Sequence, residues 1–282
     1  MPEGDTVWLT AHRMHAALAG EVLQHTDFRV PALATTDLSG RAVRAVVARG
    51  KHLLLRVDGR SGDAVPTGLT LHSHLRMEGS WHLYRPDSRW RGGPLWQVRA
   101  VLTTADRVAV AYRMPVLEIV ATGAEDRIVG HLGPDLLGAD WDLDPDASLD
   151  EAVRRLGARP DREIGPALLD QRNLAGIGNV YKNEVLFIRR VHPWTPVGQV
   201  DDLAAVVVAA RRLLLANRTR PVRVTTGDIR HPAFVTERGG RPCLRCGTPI
   251  ASAEQGEPPY QRITWWCPRC QPAAVPGSGG TA

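Results

Sequence analysis

Cys243-Leu-Arg-Cys246 and Cys267-Pro-Arg-Cys270, with twenty residues between them, form the stretch on which the reading of this chain turns. Two C-x2-C knuckles at that distance bring four soft thiolates around one tetrahedral Zn2+, in a segment too small to hold a core of its own. Four protein ligands leave no open coordination position, so the metal is expected to be structural. The competing reading, a redox dithiol, lacks a βαβ context and leaves the second pair without a role. The chain has no other cysteine, so no disulfide framework is spread across the fold. Between the knuckles, Arg262-Ile-Thr-Trp-Trp266 sets an arginine on the hairpin that joins the zinc ligands. Its guanidinium fork suits bidentate phosphate contact, or it could stack on Trp265 or Trp266.

The zinc segment lies in the basic part of the chain. From Arg211 to Cys270 there are 11 arginines and no lysine against 4 acids, while the remainder is slightly acidic. Such a surplus suits a polyanion, because each neutralised phosphate releases counterions, and it equally suits an ordinary solvated face. Residues 219–242 show no periodicity. Before them, Leu203, Val206, Val207, Ala210, Leu213 and Leu214 fall on one face of a long helix that Asp201 or Asp202 can cap, and Ser148 with Glu151 forms a capping-box pattern before Val153 and Leu156. Leu174-Ala-Gly-Ile-Gly-Asn179 then reads as a glycine-bearing turn between two helical stretches, 163–172 and 180–188. Its glycines either let a ligand approach the backbone near the next helix N-terminus or simply end a helix.

Between residues 21 and 120 the pattern is of short runs, 42–47, 53–57, 69–75, 98–102 and 108–112, separated by turn-like stretches at 58–63 and 85–94. This spacing predicts a β-sandwich or barrel. Ahead of it, Val7, Ala11, Met14 and Leu18 predict a short helix with Asp5 or Thr6 as N-cap and Gly20 as its stop. Met1-Pro2-Glu3-Gly4-Asp5 precedes that helix. Proline in second place is a common context for removal of the initiator Met and often signals nothing more. An exposed α-amine, however, has an ordinary pKa near 7.7 to 8.0 and is partly nucleophilic at neutral pH. A secondary amine of this kind can attack a sugar C1′ and acidify the C2′ proton through an iminium, with Glu3 tethered beside it as acid or base.

In order along the chain, Pro2-Glu3-Gly4, Arg49-Gly50-Lys51, His72-Ser-His-Leu-Arg-Met77, His131-Leu-Gly-Pro134, Gly176-Ile-Gly-Asn179 and the zinc hairpin with Arg262 resemble the formamidopyrimidine-DNA glycosylase and endonuclease VIII family. The resemblance covers everything but the tail after Gln271. It implies an α+β chain with a β-sandwich and leading helix over 1–130, a helix-two-turn-helix domain over 131–236, a zinc finger over 237–271 and a disordered tail over 272–282, with damaged DNA held in the cleft. It also implies a bifunctional glycosylase and abasic-site lyase of base excision repair. Pro2 would be the Schiff-base nucleophile, Glu3 the group that protonates the opening deoxyribose ring, and Lys51 the lysine near the lesion phosphate. Asn179 and Arg262 would clamp flanking phosphates. Met77, assisted by Arg76, would fill the gap left by a flipped base, and Glu184 would support the Pro2 site.

The chain departs from the family where Asp5-Thr6 replaces the usual Pro-Glu after Gly4, so that Asp5 or Glu184 would assume the electrostatic work of the missing acid. The stretch from Thr225 to Cys243 is short, and the Arg and Phe void-fillers of the 8-oxoguanine enzymes have no match. The endonuclease VIII branch fits better, with oxidised pyrimidines and abasic sites as substrates in duplex, single-stranded or bubble DNA and cleavage by β,δ-elimination. Two competing readings are a lesion-binding protein whose catalysis has decayed at Thr6 and a zinc-ribbon RNA partner. No leader pattern and no apolar run long enough to span a bilayer is present, and no heptads occur. A monomer in the cytoplasm, acting on chromosomal DNA, is expected.

Overall fold

The computed structural model describes residues 2–59 and 68–273. Met1, the distal part of the 58–63 turn and the tail from Ala274 onward lie outside the described residues, so the expectations for Met1 removal and tail disorder fall there as well. The chain divides into two compact units, 1–131 and 132–282.

The first unit opens with α1 (Gly4–Leu18). Its buried stripe is Val7, Ala11, Met14 and Leu18, as the helical spacing predicts, and Gly20 adopts φ +85° just past its end, where a side chain would be strained. The cap differs from expectation: the N-cap is Glu3, with Asp5 already inside the first turn. There its carboxylate faces the positive end of the helix dipole. Eight strands follow, β1 (His25–Phe28), β2 (Val43–Arg49), β3 (His52–Val57), β4 (Leu69–His74), β5 (Ser80–Tyr84), β6 (Val98–Thr103), β7 (Val108–Tyr112) and β8 (Val116–Ala121). They form two antiparallel four-stranded sheets, ordered β1-β6-β7-β5 and β2-β3-β4-β8. The arrangement is therefore two sheets and not a closed barrel. Leu53, Leu55 and Leu71 from one sheet and Ala100, Leu102 and Ala109 from the other share a core with the α1 stripe. Each such leucine taken fully out of water contributes roughly 1.5–3 kcal/mol. A short helix, α2 (Asp126–Val129), closes the unit.

The opposite face of the β2-β3-β4-β8 sheet carries a cluster of polar side chains among Leu54, Val116 and Val120. Strand register aligns Arg56 with Thr70, His72 with Glu118 and His52 with His74 on this face. The segment after β8 covers part of it: Glu125 accepts a bidentate pair from Arg56 at 2.8 and 2.7 Å and a bond from Thr70 at 2.6 Å. Burial acts to raise the Glu125 carboxyl, but these donors win and hold it below its ordinary range.

The second unit is helical and ends in a hairpin: α3 (Asp140–Leu143), α4 (Pro145–Gly157), α5 (Ile164–Leu169), α6 (Asn179–Arg189), α7 (Leu203–Asn217), β9 (Ala251–Gln255) and β10 (Arg262–Trp266). Asp202 caps α7 by accepting from Ala205 N at 2.7 Å, as expected. The Ser148–Glu151 capping box is not formed. Asp144 caps α4, Pro145 takes the first helical position, and Glu151 pairs with Arg154 and Arg155 one turn on. Leu136, Trp141, Leu156, Tyr181, Val206 and Leu214 lie in the larger core, while Phe187, Val235, Ile250, Cys243 and Cys267 form a second one beneath the finger.

Candidate functional site

Pro2 is half-buried at the mouth of α1, and Glu3 beside it is completely buried at the N-cap position, its backbone extended and its carbonyl accepting from Val7 N at 3.1 Å. Asp5 is 5% exposed and takes a bond from Thr6 Oγ1 at 3.4 Å. A buried acid thus lies next to position 6. Lys51 sits at the tip of the hairpin joining β2 and β3, where Arg49 pairs with His52 across a two-residue turn. Gly50 supplies the positive φ, +57°, that such a turn needs. After β4 the chain makes a second tight turn, closed by Gly79 N to Leu75 O at 2.8 Å. Arg76 adopts φ +46° there, its amide donating to His74 Nδ1 at 3.1 Å, and both Arg76 and Met77 face solvent, Met77 being 63% exposed.

Four histidines gather next to these turns. His52 Nδ1 lies 2.9 Å from His72 Nε2, and His72 Nδ1 lies 2.8 Å from Glu118 Oε1. His74 and His131 meet the His52 ring edge-on at 5.0 and 6.3 Å. Burial, then the charges of His74, His72, His131 and Lys51, push His52 down to about 3. Burial, then His72, Arg76 and Lys51, push His74 down to about 4. His72 is also lowered by burial, against the opposing pull of Glu118. At neutral pH all three are uncharged. The motif His72-Ser-His74 was visible in the sequence, but its link to His52 and Glu118 depends on strand register and had no sequence signal.

In the second unit, Gly178 is the N-cap of α6 and Asn179 its first residue. Asn179 Nδ2 donates to Ile263 O at 2.8 Å, tying the helix to β10 immediately beside Arg262, whose side chain is exposed. One turn along α6, fully buried Lys182 donates to Thr264 Oγ1 at 2.5 Å; Thr264 in turn bonds Gln255 Oε1 at 3.1 Å, and Gln255 Nε2 reaches Glu163 at 2.9 Å. Gln255 is the cross-strand partner of Arg262. The strand that carries the arginine is therefore held from both sides by buried polar contacts, which sequence reading missed. Trp266 packs against Trp194 and His192 at 4.7 and 5.7 Å.

Glu184 is completely buried and saturated. Oε1 accepts from Val235 N, Thr236 N and Thr236 Oγ1 at 3.0, 2.9 and 2.9 Å; Oε2 accepts from Phe234 N and Thr225 Oγ1 at 2.7 and 2.5 Å. The aperiodic segment 225–236 is wound around this one carboxylate.

The four cysteine Sγ atoms lie within 4.8 Å of one another, with Cys246 and Cys267 at 3.5 Å. That spacing suits thiolates about a Zn2+ with bonds of ~2.3 Å. Backbone amides of Arg245 and Cys270 donate to the first sulfur of each knuckle, both at 3.4 Å. Residues 240–273 match the model of the zinc finger found in FPG and IleRS, residues 1–115 that of the formamidopyrimidine-DNA glycosylase N-terminal domain, and residues 137–216 that of the formamidopyrimidine-DNA glycosylase H2TH domain. The chain is 56% identical to a probable endonuclease 8 2 of Streptomyces coelicolor, over 99% of this chain and 97% of that one. It is 45% identical to the DNA-(apurinic or apyrimidinic site) lyase Nei2 of Mycolicibacterium smegmatis, over 97% and 100%.

The chain belongs to the formamidopyrimidine-DNA glycosylase and endonuclease VIII family, on its endonuclease VIII branch. This family member carries one structural zinc site, Cys243, Cys246, Cys267 and Cys270. Its fold also superimposes on Lactococcus lactis Fpg, crystallised with an abasic site containing DNA, at a TM-score of 0.76 and 22% identity, covering 96% of this chain and 99% of that one. No described helix is long and apolar enough to cross a membrane.

Proposed function

We propose that the chain is a DNA glycosylase and abasic-site lyase of base excision repair that works through the amine of Pro2. The reading is carried by one observation: a fully buried carboxyl group, that of Glu3, directly follows Pro2 at the N-terminal end of α1. In this mechanism Pro2 attacks C1′ of the damaged nucleotide, Glu3 protonates the opening sugar ring, and the base leaves. The resulting iminium acidifies the C2′ proton; its loss expels the 3′ phosphate, and a second elimination expels the 5′ phosphate. Lys51 holds the lesion phosphate. Asn179 and Arg262 hold its neighbours, with the helix N-terminus adding its dipole. Met77 and Arg76, exposed on their turn, enter the stack as the base flips.

Support of the Pro2 site was expected of Glu184; its carboxylate is instead taken up by Thr225 and residues 234–236, and the role we assign it is fixing the 225–236 segment. Because that segment is consumed by its anchor, it is poorly suited to wrap a flipped purine, which supports oxidised pyrimidines and abasic sites as substrates. Division of labour follows the chain: 1–130 carries the chemistry, while 131–236 and 237–271 grip DNA. The protein would act as a monomer on chromosomal DNA in the cytoplasm.

The test is borohydride trapping on an oligonucleotide with a single abasic site, using protein whose Met1 has been removed. Wild type should form a covalent adduct, Pro2→Gly should lose most of it, and Glu3→Gln should lose base excision more than trapping. Wild type that binds the oligonucleotide but yields no adduct would identify a lesion-binding protein instead.

A further inference from the structure

We propose that Glu118, His72 and His52 form a proton relay that connects the Lys51 site with solvent. The proposal rests on the lyase reading above. The hydrogen bonds fix the direction of the chain. Glu118 is a carboxylate and can only accept, so His72 Nδ1 carries the proton in the 2.8 Å contact. His72 Nε2 is then a lone pair, and His52 Nδ1 must donate to it at 2.9 Å. This leaves the lone pair of His52 on Nε2.

His74 has the opposite tautomer. Its Nδ1 accepts from Arg76 N, so Nε2 bears its hydrogen. The groups facing His52 are thus Lys51, next to it in the chain, His72 and His74 from β4, and His131 from the end of the unit. Those facing His72 are His52, His74 and Glu118.

Solvent access differs along the chain. The His72 side chain is 3% exposed, whereas that of Glu118 is 50% exposed. A proton released beside Lys51, such as the C2′ proton lost in β-elimination, is taken by His52 Nε2. The Nδ1 proton of His52 passes to His72 Nε2, the Nδ1 proton of His72 passes to Glu118 Oε1, and the carboxylate delivers a proton to water. No charge accumulates in the buried segment, and the reverse transfers reset it.

The deciding experiment follows single-turnover strand cleavage at a preformed abasic site from pH 6 to 9, alongside borohydride trapping and affinity for an uncleavable tetrahydrofuran site. His72→Phe interrupts the relay while keeping bulk, and His52→Ala opens a space that added imidazole can fill. The relay predicts cleavage slowed about tenfold near neutral pH in both, with trapping and affinity retained, and restoration of His52→Ala by imidazole. Unchanged cleavage in His72→Phe overturns it. So does a parallel loss of affinity, trapping and cleavage that imidazole fails to restore, which marks a structural role. Wild type without any adduct overturns the lyase reading and the relay together; a normal wild type with an unaffected His72→Phe overturns the relay alone.

Discussion

Arg76 shows how a single residue can be held against its own preference. An arginine at φ +46° costs about 1–3 kcal/mol relative to an ordinary backbone conformation, and two backbone amides hold the turn, Arg76 N donating to His74 Nδ1 and Gly79 N to Leu75 O. Replacement by glycine should relieve the strain and raise stability by roughly 0.5–1 kcal/mol, read as a higher denaturant midpoint with unchanged slope. The same variant should bind abasic DNA more weakly. Loss of stability in Arg76→Gly would mean that the side chain contributes more to the fold than its exposure suggests. The Asp5–Thr6 pair makes a related point: where the family pattern departs at position 6, an acid one residue earlier still lies within the first turn of α1.

Among elements, the β2-β3-β4-β8 sheet carries a pH dependence of its own. His52, His72 and His74 all have their protonated forms disfavoured in the folded protein, with His52 near 3 and His74 near 4 against about 6.5 in the unfolded chain. Folding is therefore fully favoured above about pH 6.5, and the advantage is lost as pH falls from there toward 4, because the unfolded chain takes up the protons. Melting temperature should drop over that window, and His52→Gln should flatten the slope. An equal slope in the variant would place the titration elsewhere. Much of this sheet was legible in advance: 42–47, 53–57 and 69–75 differ from β2, β3 and β4 by a residue or two at their ends. Strands β1, β5 and β8 were not, because β1 has only four residues and the side chains of β5 and β8 are nearly all half-buried, which blurs alternation. Motifs could name Pro2, Lys51 and Arg262 as candidates. They could not show that residues as far apart as His52 and Glu118 meet through His72, or that Lys182 and Gln255 brace the arginine strand, since such contacts come from pairing and packing.

For the molecule as a whole, metal and fold are linked through the second core. Cys243 and Cys267 are packed with Phe187, Val235 and Ile250, so removing Zn2+ loosens the end of α6 as well as the finger itself. Chelation should make residues 240–273 susceptible to protease and abolish abasic-site binding, while 68–131 stays resistant, as judged by fragment masses. Digestion of both regions at the same rate would show that the two units unfold as one. The 225–236 segment has a different consequence. With neither helix nor strand, it would ordinarily rank among the quickest parts of a protein to exchange its amide hydrogens. Yet the amides of Phe234, Val235 and Thr236 all end on the Glu184 carboxylate, which has no exposed surface. Their exchange therefore requires the carboxylate to lose its partners together, and this irregular stretch should exchange as slowly as a helix core.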